Sequence, residues 1–238
     1  MAKSYKITDQ EREEKSNQYK TNSMICLCIC IVAFVWFAIC GIFFNIAYCI
    51  VPWLLFGISG VIGTINWKRY KIISTGLLGE EIVSNTLDLL PDEYTVINNI
   101  PINYNGKQAE IDSLIISKYG LFIVETKNYQ GDIIGKVTDE NWIQKKKSSG
   151  GRVYENKMRN PVKQVKFQTY LLSSMLKEHG IHCWINPYVV IVGAKSVSTD
   201  SEIVFDNQEN LYKKIMSKNK SIVTIDDLHK VEKLFLNA

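Results

Sequence analysis

The sequence predicts an α/β domain, a mixed sheet flanked by helices, preceded by two membrane-spanning helices. Three observations predict it. No Asp, Glu, Lys or Arg occurs from Asn22 to Trp67, and that window holds two apolar runs of bilayer-crossing length. Beyond it, runs rich in β-branched residues alternate with runs whose apolar positions recur at helical spacing. Finally, two carboxylates and a lysine are planted in the otherwise apolar hairpin Ala109 to Asn128.

Residues 1–23 carry five basic and four acidic positions and are expected to be a cytoplasmic tail, either a short helix or disordered. Residues 24–66 form the transmembrane hairpin, with spans Met24 to Phe44 and Ile46 to Ile65 and a turn around Asn45 to Cys49. Lys15 and Lys20 precede the first span, and Lys68, Arg69 and Lys71 follow the second. The positive-inside rule then puts a multi-pass protein in the cell membrane with both termini cytoplasmic. Cys26, Cys28, Cys30, Cys40 and Cys49 lie in the window and only Cys183 outside it. With no histidine near the C-x-C-x-C run and the wrong spacing for zinc, they are small apolar membrane residues.

Residues 67–75 are expected to be a linker, and 76–238 the soluble domain. From Leu78 to Leu90 the apolar positions follow a helix that Pro91 stops. Glu80 lies at the border of its apolar face, Glu81 on its polar face. Tyr94 to Ile102, Lys107 to Ser117 and Gly120 to Asn128 should form a three-stranded meander, with another short strand at Gly131 to Lys136. From Lys136 to Lys166 there are nine bases against three acids, and Lys145 to Arg152 reads as a flexible basic loop. Asn160-Pro161 caps a helix that runs to about Glu178 and ends at Gly180. Pro187 to Gly193 is a buried strand. Ser201 to Phe205 and Ser221 to Thr224 are weaker strands, and helices around Asn207 to Ser217 and Ile225 to Leu236, the last capped by Asp226, close the domain. Neither a Ser-His-Asp triad, a histidine-rich metal site, a phosphate-binding loop of the G-x-x-x-x-G-K-[ST] form nor an internal repeat is present.

A turn of two residues (Lys118, Tyr119) or of four (Ser117 to Gly120) pairs Ile116 with Leu121, and the same register sets Asp112 opposite Glu125, with Cβ atoms roughly 4.5 to 5.5 Å apart. Period 2 puts Lys127 on the face of Glu125. Adjacent carboxylates repel unless one is protonated or a cation intervenes. Oxygen-only ligands favour Mg²⁺ or Mn²⁺ over zinc. Lys145, Lys146, Lys147, Arg152, Lys157 and Arg159 would offer charge to a phosphate backbone, or be a solvated or lipid-facing segment.

Asp112 followed by Glu125-Thr126-Lys127 resembles the active-site signature of the PD-(D/E)xK nuclease superfamily, with Ile111 where the motif's proline would stand. The surrounding text, with its G-x-x-G-E opening and N-P-x-x-Q helix start, is similar to that superfamily's nuclease-related domain, NERD. The resemblance covers roughly Gly76 to Leu176. It implies a restriction-endonuclease-like fold and a metal-dependent nuclease acting on nucleic acid, DNA first. Asp112, Glu125 and Glu80 would be metal ligands, and Lys127 and Gln164 would join Asp112 and Glu125 in catalysis. A catalytically silent module that binds nucleic acid or protein at the membrane is the alternative.

Overall fold

The computed structural model describes residues 1–7, 10–43, 50–148 and 150–236. The chain divides into two compact units, one of Asp9–Leu77 and one of Met1–Thr8 with Leu78–Ala238.

The first unit is a pair of antiparallel helices, α1 (Gln10–Phe43) and α2 (Ile50–Leu87), α2 continuing past it into the second unit. Both are long and apolar enough to cross a membrane, and most of each apolar window is exposed. The helices meet through small residues: Ser23 Oγ donates to the Gly63 carbonyl at 3.1 Å, and Ser59 and Cys30 are hydrogen-bonded at 3.0 Å. An added Cβ at Gly63 would sit 3.0 Å from Cys26 Cβ, so a side chain there would push the helices apart by a few tenths of an ångström. The turn expected around Asn45 to Cys49 lies outside the described residues. The linker expected at 67–75 is instead helical throughout. Polarity changes there, but none of those residues interrupts a helix, so solvation shifts while the backbone continues.

In the second unit eight strands form one mixed sheet among the described residues. β1 (Lys3–Lys6) pairs in parallel with β2 (Tyr94–Tyr104), so the first residues are part of the sheet and not a free tail. The Ala2 N–H donates to the Asp88 carbonyl at 3.2 Å, and the terminal amine pairs with Asp92. The sequence gives no hint of this, because a four-residue, fully exposed strand carries no apolar alternation. β2 continues antiparallel into β3 (Lys107–Ser117) and β4 (Gly120–Ile134), with Asn105 and Gly106 in left-handed conformation at the first turn. β4 runs parallel to β7 (Ile185–Ser198), which pairs with the short β8 (Val204–Phe205).

Two predicted breaks are absent. The short strand expected at Gly131 to Lys136 is the far end of β4, carried on past a bulge between Asn128 and Asp132. Gly131 sits there at φ +88°, and a Cβ would fall 2.1 Å from the Lys145 carbonyl oxygen. The basic stretch is mostly strand, since β5 (Asn141–Lys147) and β6 (Val153–Arg159) form a hairpin whose loop spans only 148–152, with Ser149 outside the described residues. β5 and β6 pair along their whole length, and those bonds hold the lysines in an extended backbone.

α3 (Pro161–Glu178) begins as expected: Asn160 Oδ1 accepts from the Val162 and Lys163 N–H groups at 2.9 and 3.4 Å, with Pro161 at the first position. Its apolar stripe, Val162, Val165, Leu171, Leu172 and Leu176, joins one core with Leu114, Ile123, Trp142 and Ile191. The opposite core gathers Val83 and Leu87 of α2 with Val96, Phe122, Val124, Val190 and residues of α4 (Gln208–Met216). Fully burying Val83 and Leu87 contributes roughly 1.5–3 kcal/mol each, enough to hold the end of α2 on the sheet. At the C-terminal side, 221–224 is not a strand; its Ile222 and Val223 N–H groups bond the Lys118 carbonyl. α5 (Ile225–Leu236) is capped by Thr224, whose Oγ1 accepts from the Asp227 N–H, and not by Asp226, which pairs with Lys230 at 2.5 Å.

Candidate active site

The β3–β4 ladder has the predicted register, Ile116 opposite Leu121, and its last bonded pair is Ser113 with Val124. The next pair in that register is Asp112 with Glu125. There the strands part, and the Asp112 side chain fills the gap: its Oδ2 accepts from the Thr126 N–H at 2.7 Å. One backbone donor that the ladder leaves over thereby fixes one carboxylate.

Glu125 is buried, which a carboxylate tolerates only with partners. Lys127 Nζ lies 2.6 Å from its Oε1, and Gln168 Nε2 donates to its Oε2 at 2.6 Å. Lys127 shares the face of Glu125 by strand period, and Gln168 comes from α3 across that face. Gln168 is itself buried and its amide also donates to the Glu110 carbonyl at 2.7 Å. That pairing fixes the amide's orientation, because its oxygen cannot face a carboxylate. Gln164, the glutamine that the resemblance singled out, lies one turn earlier, is half-buried and makes no side-chain hydrogen bond among the described residues, so Gln168 is the one that reaches the carboxylates.

Glu80 enters from the end of α2. The Asn99 amide donates to its Oε2 at 3.3 Å, and Glu81 faces solvent as its place on the helix predicts. Asn99 falls opposite Asp112 in the β2–β3 register and sits at φ 58°, a left-handed conformation in mid-strand. Such a conformation persists only where surrounding structure enforces it, and asparagine tolerates it best among non-glycine residues. Beside it Asn98 receives a hydrogen bond from Ser113 at 2.7 Å and gives one to Ser84 at 2.9 Å. Paired asparagines inside an apolar strand were the signal in the sequence that could have brought both to notice.

The charges answer one another. Burial pushes the Asp112 carboxyl well above its ordinary range, and the nearby Glu125 and Glu80 push it further, against the pull of Lys127 and the Thr126 N–H. Burial works against the Lys127 ammonium, yet Glu125 and Asp112 outweigh it and hold its pKa above the usual lysine value.

Whether a cation suits this place is decided by the oxygens. Glu125 Oε1 and Gln168 Oε1 are both buried and make no hydrogen bond, although Oε1 of Glu125 is ion-paired with Lys127. One unpartnered amide oxygen, Gln168 Oε1, beside the Glu125 and Asp112 carboxylates fits a hard cation or its waters. No group of three or more His, Cys, Asp or Glu side chains is gathered tightly enough to cage a metal among the described residues. Asp112 and Glu125 are the carboxylates that could serve a hard cation here, with Glu80 held nearby by Asn99.

The predicted phosphate-binding residues lie on the β5–β6 hairpin. Strand period puts Lys145, Lys147, Lys157 and Arg159 on one face and Lys146 on the other, with Arg152 in the loop. Lys145 is paired with Glu155 at 3.0 Å, which lowers what it can offer a phosphate. Lys157 and Arg159 are exposed.

A mixed sheet that sets Asp, Glu and Lys side chains on adjoining strands, steadied by a glutamine from the following helix, defines a nuclease-like α/β domain. The chain carries a domain of the nuclease-related family, NERD, at residues 75–192. An uncharacterized protein of Bacillus anthracis is 34% identical over 106 residues, 42% of this chain and 48% of that protein, so the chain spans about half the length of this relative. No solved structure matches the chain.

Proposed function

We propose that this protein is a membrane-anchored, divalent-metal-dependent nuclease that hydrolyses phosphodiester bonds of DNA at the cytoplasmic face. The observation that carries the reading is the burial of Glu125 between Lys127 and Gln168, next to an Asp112 that a backbone N–H holds in place. Asp112 and Glu125 would hold Mg²⁺ or Mn²⁺, with Glu80 in support. When bound, the metal supplies a Lewis acid for the phosphate and an acidified water. Gln168 orients Glu125, and the Thr126 N–H orients Asp112. Lys127 places a positive charge where negative charge develops on the phosphate oxygens. Exposed cations of the β5–β6 hairpin would hold the substrate's backbone and make binding salt-dependent.

The cytoplasmic assignment rests on the bases flanking the apolar window and on connectivity. Both ends of the helical pair join segments of the same sheet-bearing unit, which supports an even number of crossings. A second reading, a silent module that binds nucleic acid or protein, is favoured by one observation: Lys127 and Gln168 already engage both oxygens of Glu125.

The test uses the full chain in detergent, because a fragment starting near Lys68 would lose β1. Plasmid, linear DNA and RNA are incubated with Mg²⁺ or Mn²⁺. Cleavage that disappears in Asp112→Ala and Lys127→Ala is the expected result. A parent that cuts nothing, or variants that cut as well as it does, would leave the binding module as the reading.

A further inference from the structure

Between α1 and α2 lies an open-sided cavity of about 510 Å³, within the range of roughly 300–1,000 Å³ common for ligand cavities. Met24, Cys26, Leu27, Gly60 and Gly63 give it apolar, small-residue walls, and Trp67 and Lys68 stand at one end. From Ser59 to Lys68 it follows α2 over ten residues, a rise of about 13.5 Å along a helix. Its apolar end falls in the uncharged window and its Lys68 end at the first charge beyond it.

That end carries four cations, and three are taken. Lys20 lies over the Tyr70 ring at 5.9 Å, Arg69 over Tyr19 at 5.6 Å and Lys71 over Trp67 at 5.8 Å. Lys68 is exposed, has no protein partner among the described residues, and is the cation that lines the cavity. An aliphatic stem along an apolar wall with a free ammonium at the interface is how lysine meets a headgroup.

We propose that this groove holds one acyl chain of an anionic phospholipid, whose headgroup phosphate pairs with Lys68. The proposal rests on the reading that α1 and α2 cross a bilayer. Apolar walls call for a hydrocarbon chain, and an unpaired cation at the mouth calls for an anion attached to it. The three ring-held cations add positive field around that phosphate without competing for the groove. The lipid would lie along the open side of the groove, over the small side chains and glycines that line it.

Glycine geometry supplies separable variants. A Cβ at Gly60 would meet only Cys30 Sγ at 3.9 Å, an ordinary contact, so Gly60→Leu can start its side chain into the groove without a clash at Cβ, and an unchanged melting temperature checks that the helix crossing is kept. Gly57 does not line the groove and a Cβ there meets nothing within 4 Å, so Gly57→Leu is the control. The full chain is placed in nanodiscs of equal phosphatidylglycerol and phosphatidylcholine, and lipid retained after release is counted by native mass spectrometry. The parent should keep phosphatidylglycerol in about fivefold excess, the preference expected of one lysine at an anionic surface. Lys68→Gln should keep lipid without the excess, Gly60→Leu should lose both lipids, and Gly57→Leu should match the parent. Absence of the excess in the parent, its survival in Lys68→Gln, or unchanged lipid in Gly60→Leu would overturn the proposal. So would a dimer that Gly60→Leu separates, because the groove's occupant would then be a second copy. Alkaline carbonate washing distinguishes the two readings: protein released from membranes refutes the membrane assignment itself, whereas integral protein without lipid preference refutes the groove alone.

Discussion

Replacing Gln168 by leucine removes a side chain of similar length and leaves Glu125 with one partner fewer in a buried place. Two hydrogen bonds go, one of 2.6 Å to the Glu125 carboxylate and one of 2.7 Å to the Glu110 carbonyl. A bond to a charged group contributes roughly 1.5–3 kcal/mol and a neutral one about 0.5–1.5 kcal/mol. Leucine adds apolar contact in return, because Gln168 already lies on the stripe with Val165, Leu171 and Leu172. The expected net loss is therefore about 2–3 kcal/mol, which lowers the melting temperature by roughly 4–12 °C in a domain of this size. Gln164→Ala, without a hydrogen bond to lose, should stay within about 0.5 kcal/mol. Both are measured on the full chain by thermal unfolding without divalent metal, so the result does not depend on activity. Equal melting temperatures for parent and Gln168→Leu, or a loss in Gln164→Ala as large as in Gln168→Leu, would refute the assignment of Gln168 as the residue that steadies Glu125.

Asp112→Asn keeps the acceptor for the Thr126 N–H but removes a charge that burial, Glu125 and Glu80 all oppose, so the metal-free variant should melt higher than the parent while losing any cleavage. In the parent, folded Asp112 holds its proton to a higher pH than the unfolded chain, whose ordinary value is 3.8. Over that window the folded state binds more protons, and the contribution of Asp112 to stability falls as pH rises. Unfolding free energy followed across acid pH should show that slope in the parent and lose it in Asp112→Asn. Lys127 acts at the other end of the scale: its pKa is raised above 10.5, so its stabilisation is complete below that value and is lost as pH climbs through the folded value, a loss that Lys127→Met abolishes in alkaline melts. Gly131→Ala forces a Cβ to 2.1 Å from a carbonyl oxygen at φ +88°, and should cost on the order of 3 kcal/mol or prevent folding, read by expression and melting. If DNA lies on the β5–β6 hairpin, Lys157→Gln with Arg159→Gln should lower the salt dependence of binding by up to about two phosphate contacts, measured by fluorescence anisotropy against salt.

The parts legible in the sequence were those set by local pattern. A two-residue turn between apolar strands fixes register, so Asp112, Glu125 and Lys127 could be brought together by counting alone. Asn160 and Pro161 announce a helix start by side-chain chemistry that needs no tertiary partner. What was missed depends on contacts between distant segments. β1 has a place in the sheet because β2 offers an open edge, and its four exposed residues carry no period. Lys145, Lys146 and Lys147 look like loop because lysine is poorly suited to strands, but the ladder with β6 holds them extended. The choice between Gln164 and Gln168 needed the angle at which α3 crosses the sheet, and periodicity along one helix does not contain it.

Asn99 shows where foldability and site geometry part. A mid-strand residue at φ 58° works against the sheet, and the apolar residues around it, Ile97, Ile100 and Ile102, would pair in a regular ladder without it. The left-handed turn of backbone costs of order 1 kcal/mol or more, and what it secures is an amide aimed at Glu80, at the register position that faces Asp112. Asn99→Gly keeps the backbone conformation and deletes the amide, whereas Asn99→Ala deletes both. If the conformation alone matters, glycine will be as stable and as able to bind Mn²⁺ as the parent. Should the amide be what holds Glu80 near the carboxylates, glycine will fold as well as the parent yet bind Mn²⁺ more weakly by calorimetry, and alanine will lose stability besides. Equal Mn²⁺ affinity in all three proteins would remove both Asn99 and Glu80 from the site.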